Sequence, residues 1–80
     1  MTTSEVPAWT ETLHEQFGRL LREALKADGV YQVELARRTG LTPKHVSQML
    51  NGKGGSTATY EHAAFVLGRR WELTLTHRYD

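Results

Sequence analysis

The chain contains no cysteine among its 80 residues. That excludes a disulfide scaffold, a Cys-ligated zinc site and a thiol nucleophile, and it suits a reducing compartment. No apolar run approaches the ~18 residues of a membrane span. The first residues, Met-Thr-Thr-Ser-Glu, lack the basic-then-apolar order of a secretory signal. A cytoplasmic protein with no membrane partner is expected. His14, His45, His62 and His77 fall on separate segments, and no pair stands at i, i+4, so no metal site is expected. The glycines at 52, 54 and 55 have neither P-loop spacing nor a following Lys-Ser/Thr. No nucleophile motif frames the Ser, His and acidic residues. No catalytic residue and no cofactor are therefore expected. A chain of this length buries only about 60 % of its unfolded surface, which leaves a thin core and favours a binding module over an enzyme pocket.

What is present is charge, unevenly spread. The formal net charge is only +1. Residues 1–34 carry six acids (Glu5, Glu11, Glu15, Glu23, Asp28, Glu34) against three bases (Arg19, Arg22, Lys26). Residues 35–56 carry four bases, Arg37, Arg38, Lys44 and Lys53, and no acid. Residues 57–80 balance at three of each sign. A basic middle inside a neutral chain points to a local site for an anionic partner.

Residues 1–9 read as a flexible arm with Trp9 as its anchor. Leu13, Phe17, Leu20, Leu21, Ala24 and Leu25 then form one stripe of a helix. Thr10 is its expected N-cap, and Asp28-Gly29 its end. A second helix is predicted from about Gln32 to Thr39, with Val33, Leu35 and Ala36 as its apolar members. Gly40 breaks it, and Thr42-Pro43 reads as N-cap and first residue of a third helix. Val46, Met49 and Leu50 give that helix an inner face, and Asn51-Gly52 stops it. A fourth helix, capped by Ser56 or Thr57, carries Tyr60, Ala63, Ala64 and Leu67 and ends at Gly68. Trp71, Leu73, Leu75 and His77 then alternate with Glu72, Thr74, Thr76 and Arg78, the period of a strand.

The window QVELARRTGLTPKHVSQMLNGK, residues 32–53, places Leu35, Ala36, Gly40, Leu41 and Val46 where a helical hairpin needs apolar, small and turn residues. It resembles the helix-turn-helix of lambda-type phage repressors, Cro proteins and the wider XRE family. Thr39 stands where an apolar residue is more usual. With its flanking helices the resemblance extends over roughly residues 13–68. It implies a mainly α, four- to five-helix lambda-repressor-like domain at residues 10–70, whose third helix enters the major groove of double-stranded DNA. The family's base-facing positions fall on Thr42, Pro43, Lys44, Ser47, Gln48 and Asn51. Gln48 suits adenine and Lys44 guanine. Gln32, Arg37, Arg38, His45, Lys53, Ser56 and Thr57 are expected to meet phosphate, through charge or through free N–H groups at helix starts. The acids of the first helix and arm are expected to face away from it.

A lone strand must pair with something. The expected partner is the same strand of a second copy, so that residues 71–80, through Trp71, Leu73, Leu75 and His77, form the interface of a homodimer. The expected function is a homodimeric regulator or repressor on a palindromic operator. Two alternatives stand beside it: the antitoxin of a toxin–antitoxin pair, whose arm touches the toxin and which autoregulates its operon, and a protein-interaction module that does not bind DNA.

Overall fold

The computed structural model describes residues 11–75. Thr12 opens the first helix, α1 (Leu13–Asp28). Its hydroxyl accepts from the Glu15 amide at 3.1 Å, and the Glu15 carboxylate accepts from the Thr12 amide at 2.8 Å. This reciprocal capping box explains why the helix starts two residues later than the expected cap at Thr10. Only Thr12 has a glutamate three residues on; Thr10 itself lies outside the described residues. Gly29 ends α1, and the Val30 amide reaches back to the Leu25 carbonyl at 2.9 Å.

The second helix, α2 (Gln32–Thr39), and the third, α3 (Pro43–Leu50), have the boundaries the caps predict. Gly40 between them has φ +79°, a backbone conformation that side-chain-bearing residues avoid. Thr39 earns its unusual place in this turn. Its hydroxyl donates to the Leu35 carbonyl at 2.8 Å and accepts from the Leu41 amide at 3.3 Å, so it closes the turn through hydrogen bonds. Thr42 caps α3 by accepting from the His45 amide at 3.1 Å. Ser56, rather than Thr57, caps the fourth helix, α4 (Thr57–Val66). The helix ends at Val66 with Leu67 as its C-cap, one residue earlier than expected, and Gly68 follows with a positive φ.

The core is Phe17, Leu21 and Leu25 of α1, Leu35 and Ala36 of α2, Val46, Met49 and Leu50 of α3, and Tyr60 and Ala63 of α4. The apolar stripes are narrower than the sequence suggests. Leu13 and Leu20 are largely exposed, and so is Val33. At ~100° per residue, Val33 lies about 200° around α2 from Leu35, which is the buried side. The described residues form four helices and no strand. Residues 71–75 run without sheet pairing, and residues 76–80 lie outside the described part. Among the described residues, no helix is long and apolar enough to cross a membrane.

Gly18 explains how α1 meets α3. A Cβ at this position would stand 2.5 Å from the Leu50 carbonyl oxygen and 2.8 Å from that of Met49. The two helices touch backbone to backbone, which only glycine permits. Gly18 is buried despite its cost of roughly 1 kcal/mol in helix propensity.

Candidate nucleic-acid interface

Burial fixes which side of α3 is free. Val46, Met49 and Leu50 are at most 2 % exposed, so the opposite stripe of Lys44, Ser47, Gln48 and Asn51 faces outward. These positions follow i, i+3, i+4 and i+7 and form one ridge. Lys44, Gln48 and Asn51 are exposed and Ser47 half-buried; Thr42 and Pro43 are exposed at its start.

The members of the ridge are not equally available. The Asn51 amide donates to the Ser47 carbonyl at 3.0 Å, so this side chain closes the last turn of α3. The Thr42 hydroxyl is occupied by its capping bond. Lys44 and Gln48 keep their heads free of any such role, and no ion pair holds Lys44 among the described residues. The Ser47 hydroxyl is likewise unengaged among the described residues but half-buried, so Lys44 and Gln48 are the exposed members of the ridge without a structural role.

The expected phosphate contacts fall into three situations. Gln32 is exposed at the first turn of α2, where Tyr31 provides no side-chain cap and leaves the first N–H groups open. Arg37 and Arg38 are both bound to Glu34. Arg37 donates to the Glu34 carboxylate from two nitrogens, one at 3.0 Å, and Arg38 donates to it at 2.9 Å. Glu34 belongs to the acidic part of the chain by position, yet one helical turn brings it among the arginines. Hydrogen bonds from Arg37, then Arg38, lower its pKa from 4.5 to about 2. His45 is half-buried on the flank of α3, Lys53 is exposed after it, and Ser56 and Thr57 begin α4. The Ser56 hydroxyl is engaged as a cap, accepting from the Thr59 amide at 3.4 Å.

One charge expectation needs correction. Glu15 of α1 does not face away from the basic segment. Gly52 packs so closely that a Cβ there would be 2.7 Å from the Glu15 Cα, and Lys53 is near enough to help lower the Glu15 pKa, after the dominant Thr12 hydrogen bonds. The α1 N-terminus therefore flanks the loop after α3.

Two residues whose part in the site the sequence does not reveal, Arg22 and Tyr60, hold α3 in place. Arg22 donates to the Leu50 carbonyl, and the buried Tyr60 hydroxyl donates to the Met49 carbonyl at 3.0 Å. Both bonds satisfy carbonyls at the α3 C-terminus, which a helix leaves without internal partners. Arg22 stands one turn beyond Gly18 on the same edge of α1, the spacing that would have suggested it. Burial also raises the Tyr60 pKa, keeping its proton in place for this bond.

Of the expected interface residues, Trp71 packs on its own chain, with its ring 4.8 Å from Phe17 and its indole N–H donating to the Tyr60 carbonyl at 2.8 Å. Leu73 and Leu75 are exposed; His77 lies outside the described residues. Among the described residues no group of three or more His, Asp or Glu side chains could hold a metal.

No family model matches the chain, and no curated protein matches it.

The Glu34 cluster gives a pH prediction. A carboxylate with a lowered folded pKa stabilises the fold above its unfolded pKa, and the contribution disappears as pH falls through the folded value. The melting temperature of the wild type should exceed that of Glu34→Gln above about pH 5. The gap should close as pH falls from 4.5 to about 2. It should be small throughout, since exposed ion pairs are screened by solvent. A gap independent of pH would remove the carboxylate from the account.

Proposed function

We propose that this chain is a sequence-specific, double-stranded-DNA-binding transcriptional regulator that acts as a homodimer. The observation that carries the reading is the outward ridge of α3. Lys44 and Gln48 stand one turn apart on a short helix whose other face is buried, and α2 is joined to it by a tight Gly40 turn and packs against it. A helix of this width fits the major groove, which is about 12 Å wide. Lysine there donates to guanine N7 and O6, and glutamine pairs with the adenine edge. The uncapped first turn of α2 and the exposed Lys53 after α3 are the candidate phosphate contacts in this reading.

The Glu34 carboxylate refines the reading. It neutralises part of α2 and holds Arg37 and Arg38 along the helix. Arg37 engages the carboxylate through Nε and one terminal nitrogen and Arg38 through Nε alone, so each guanidinium keeps N–H donors for a phosphate.

The test is binding of the full chain to pools of duplex fragments, followed by selection of the bound sequences. Affinity should fall with salt at a log–log slope of about −0.9 per phosphate neutralised. Gln48→Ala should cost about 1–3 kcal/mol on the selected site and relax the preference at one base pair. Lys44→Glu should abolish selection. If both variants bind the selected fragments as the wild type does, α3 is not the reading element.

A further inference from the structure

Beyond α4 the chain turns back along the helix. The Arg69 amide donates to the Ala64 carbonyl at 2.9 Å, and the Trp71 indole N–H to the Tyr60 carbonyl at 2.8 Å, one turn earlier. This pinned segment and the α4 stripe of Thr57, Glu61 and Phe65 line an open groove of about 730 Å³, a size that takes a small organic ligand. Phe17 and Trp71, with ring centroids 4.8 Å apart, give it an aromatic floor. Phe65 on its wall is 76 % exposed and stacks on no other ring among the described residues. An exposed aromatic beside an aromatic recess marks a surface that binds something apolar. None of the outward residues of α3 lines the groove, so it is separate from the candidate nucleic-acid interface.

The charged groups of the lining say what else the ligand carries. Arg69 is already engaged, donating to the Asp28 carboxylate from Nε at 3.3 Å and from a terminal nitrogen at 3.0 Å. Arg70 beside it has no carboxylate partner among the described residues, and Glu61 has no cationic one. These two line the same groove, both exposed, and do not pair with each other. One uncompensated charge of each sign beside an apolar recess complements a molecule that carries both charges and a ring. A purely anionic ligand meets Glu61 with repulsion, a purely cationic one meets Arg70, and a neutral one uses neither. We propose that the groove binds a free aromatic amino acid, with its ring against Phe65 and Trp71, its carboxylate on Arg70 and its ammonium on Glu61. This site goes beyond the DNA-binding function proposed above and does not depend on it.

The test is a nuclear magnetic resonance titration of the full chain, labelled with nitrogen-15, against L-phenylalanine. The Trp71 indole N–H, held on the Tyr60 carbonyl, is the reporter, and a Trp9→Phe variant assigns its resonance. Phenylalanine should shift it saturably, with a Kd of about 0.1–1 mM. L-alanine, which lacks the ring, should not shift it at the same concentrations. Phenylacetate lacks the ammonium and 2-phenylethylamine the carboxylate. Each should bind about three- to fivefold more weakly than phenylalanine, the range of one exposed ion pair. Arg70→Ala should weaken phenylalanine and phenylacetate by that factor without weakening phenylethylamine. Glu61→Gln should weaken phenylalanine and phenylethylamine without weakening phenylacetate. Unchanged helicity by circular dichroism shows that each variant is folded. Crossed losses of this kind support the assignment, because a merely loosened fold would lose all three ligands alike. No saturable shift with phenylalanine up to about 10 mM, an equal shift with alanine, or losses that do not cross overturn it. A chain that sediments as a dimer and takes up no phenylalanine has a second copy in the groove, which overturns it as well.

Discussion

Gly18→Ala should lower the melting temperature by about 5–20 °C, although alanine is the better helix former. Two effects oppose each other at this site. In an isolated helix the substitution gains roughly 1 kcal/mol. In the folded domain the new methyl would stand 2.5 Å from the Leu50 carbonyl oxygen and 2.8 Å from the Leu50 carbonyl carbon and the Met49 oxygen. All three are backbone atoms of α3, so no side-chain rotation relieves the contact, and α1 and α3 must separate. Overpacking of this kind costs about 1–3 kcal/mol or more, and here the separation also disturbs the Arg22 bond to Leu50. With about 1 kcal/mol for the disturbed hydrogen bond, the net loss is about 1–3 kcal/mol, a large fraction of the stability of so small a domain. A peptide of residues 11–30 isolates the opposing term: in it, Gly18→Ala should raise helicity. Opposite signs in peptide and protein are the expected result. A domain melting at or above the wild-type temperature would mean that the helices do not meet at backbone contact.

The same site separates what is legible in the sequence from what is not. Caps and turns are local. Thr42-Pro43 and Gly40 mark the ends of α2 and α3 because their chemistry acts within four residues. The error at the start of α1 is also local: two threonines compete, and the one with Glu15 at the third position forms the capping box. Apolar stripes are less decisive. Leu13, Leu20 and Val33 have the right hydrophobicity, but the thin core of four short helices has no room for them. Counting charge by segment misplaced Glu34, although its i+3 and i+4 relation to Arg37 and Arg38 is visible in the sequence. The grip on α3 is a different matter. Arg22 and Leu50 are 28 residues apart; the i, i+4 spacing from Gly18 marks the edge of α1 that Arg22 shares, but not the carbonyl it meets. The period-two pattern after Gly68 is evident in the residues, but pairing of a strand needs a partner, and none lies within residues 11–75.

Tyr60→Ala should unfold the domain at ordinary temperature, whereas Tyr60→Phe should lower its melting temperature by only about 4–8 °C. The side chain does two things of unequal weight. Its hydroxyl donates to the Met49 carbonyl at 3.0 Å. That carbonyl also accepts from the Gly52 amide at 2.9 Å, so removing the hydroxyl leaves it partnered. The expected cost is about 1 kcal/mol, the net value of one hydrogen bond. The ring is 0 % exposed and lies 5.2 Å from Phe17 and 5.3 Å from His14. Truncating a buried aromatic costs about 3–5 kcal/mol, and each lost aromatic pair adds about 0.5–1.5 kcal/mol. The ring therefore outweighs the hydroxyl severalfold and approaches the whole stability of a small domain. Tyr60→Phe keeps the ring and loosens only one of the bonds that hold α3. It should therefore retain full helicity and, under the DNA-binding function proposed above, lose less duplex affinity than the Gln48→Ala variant. Urea denaturation followed by circular dichroism separates the two variants. Equal destabilisation by Phe and Ala would make the polar contact, not the ring, the source of stability at the junction of α3 and α4.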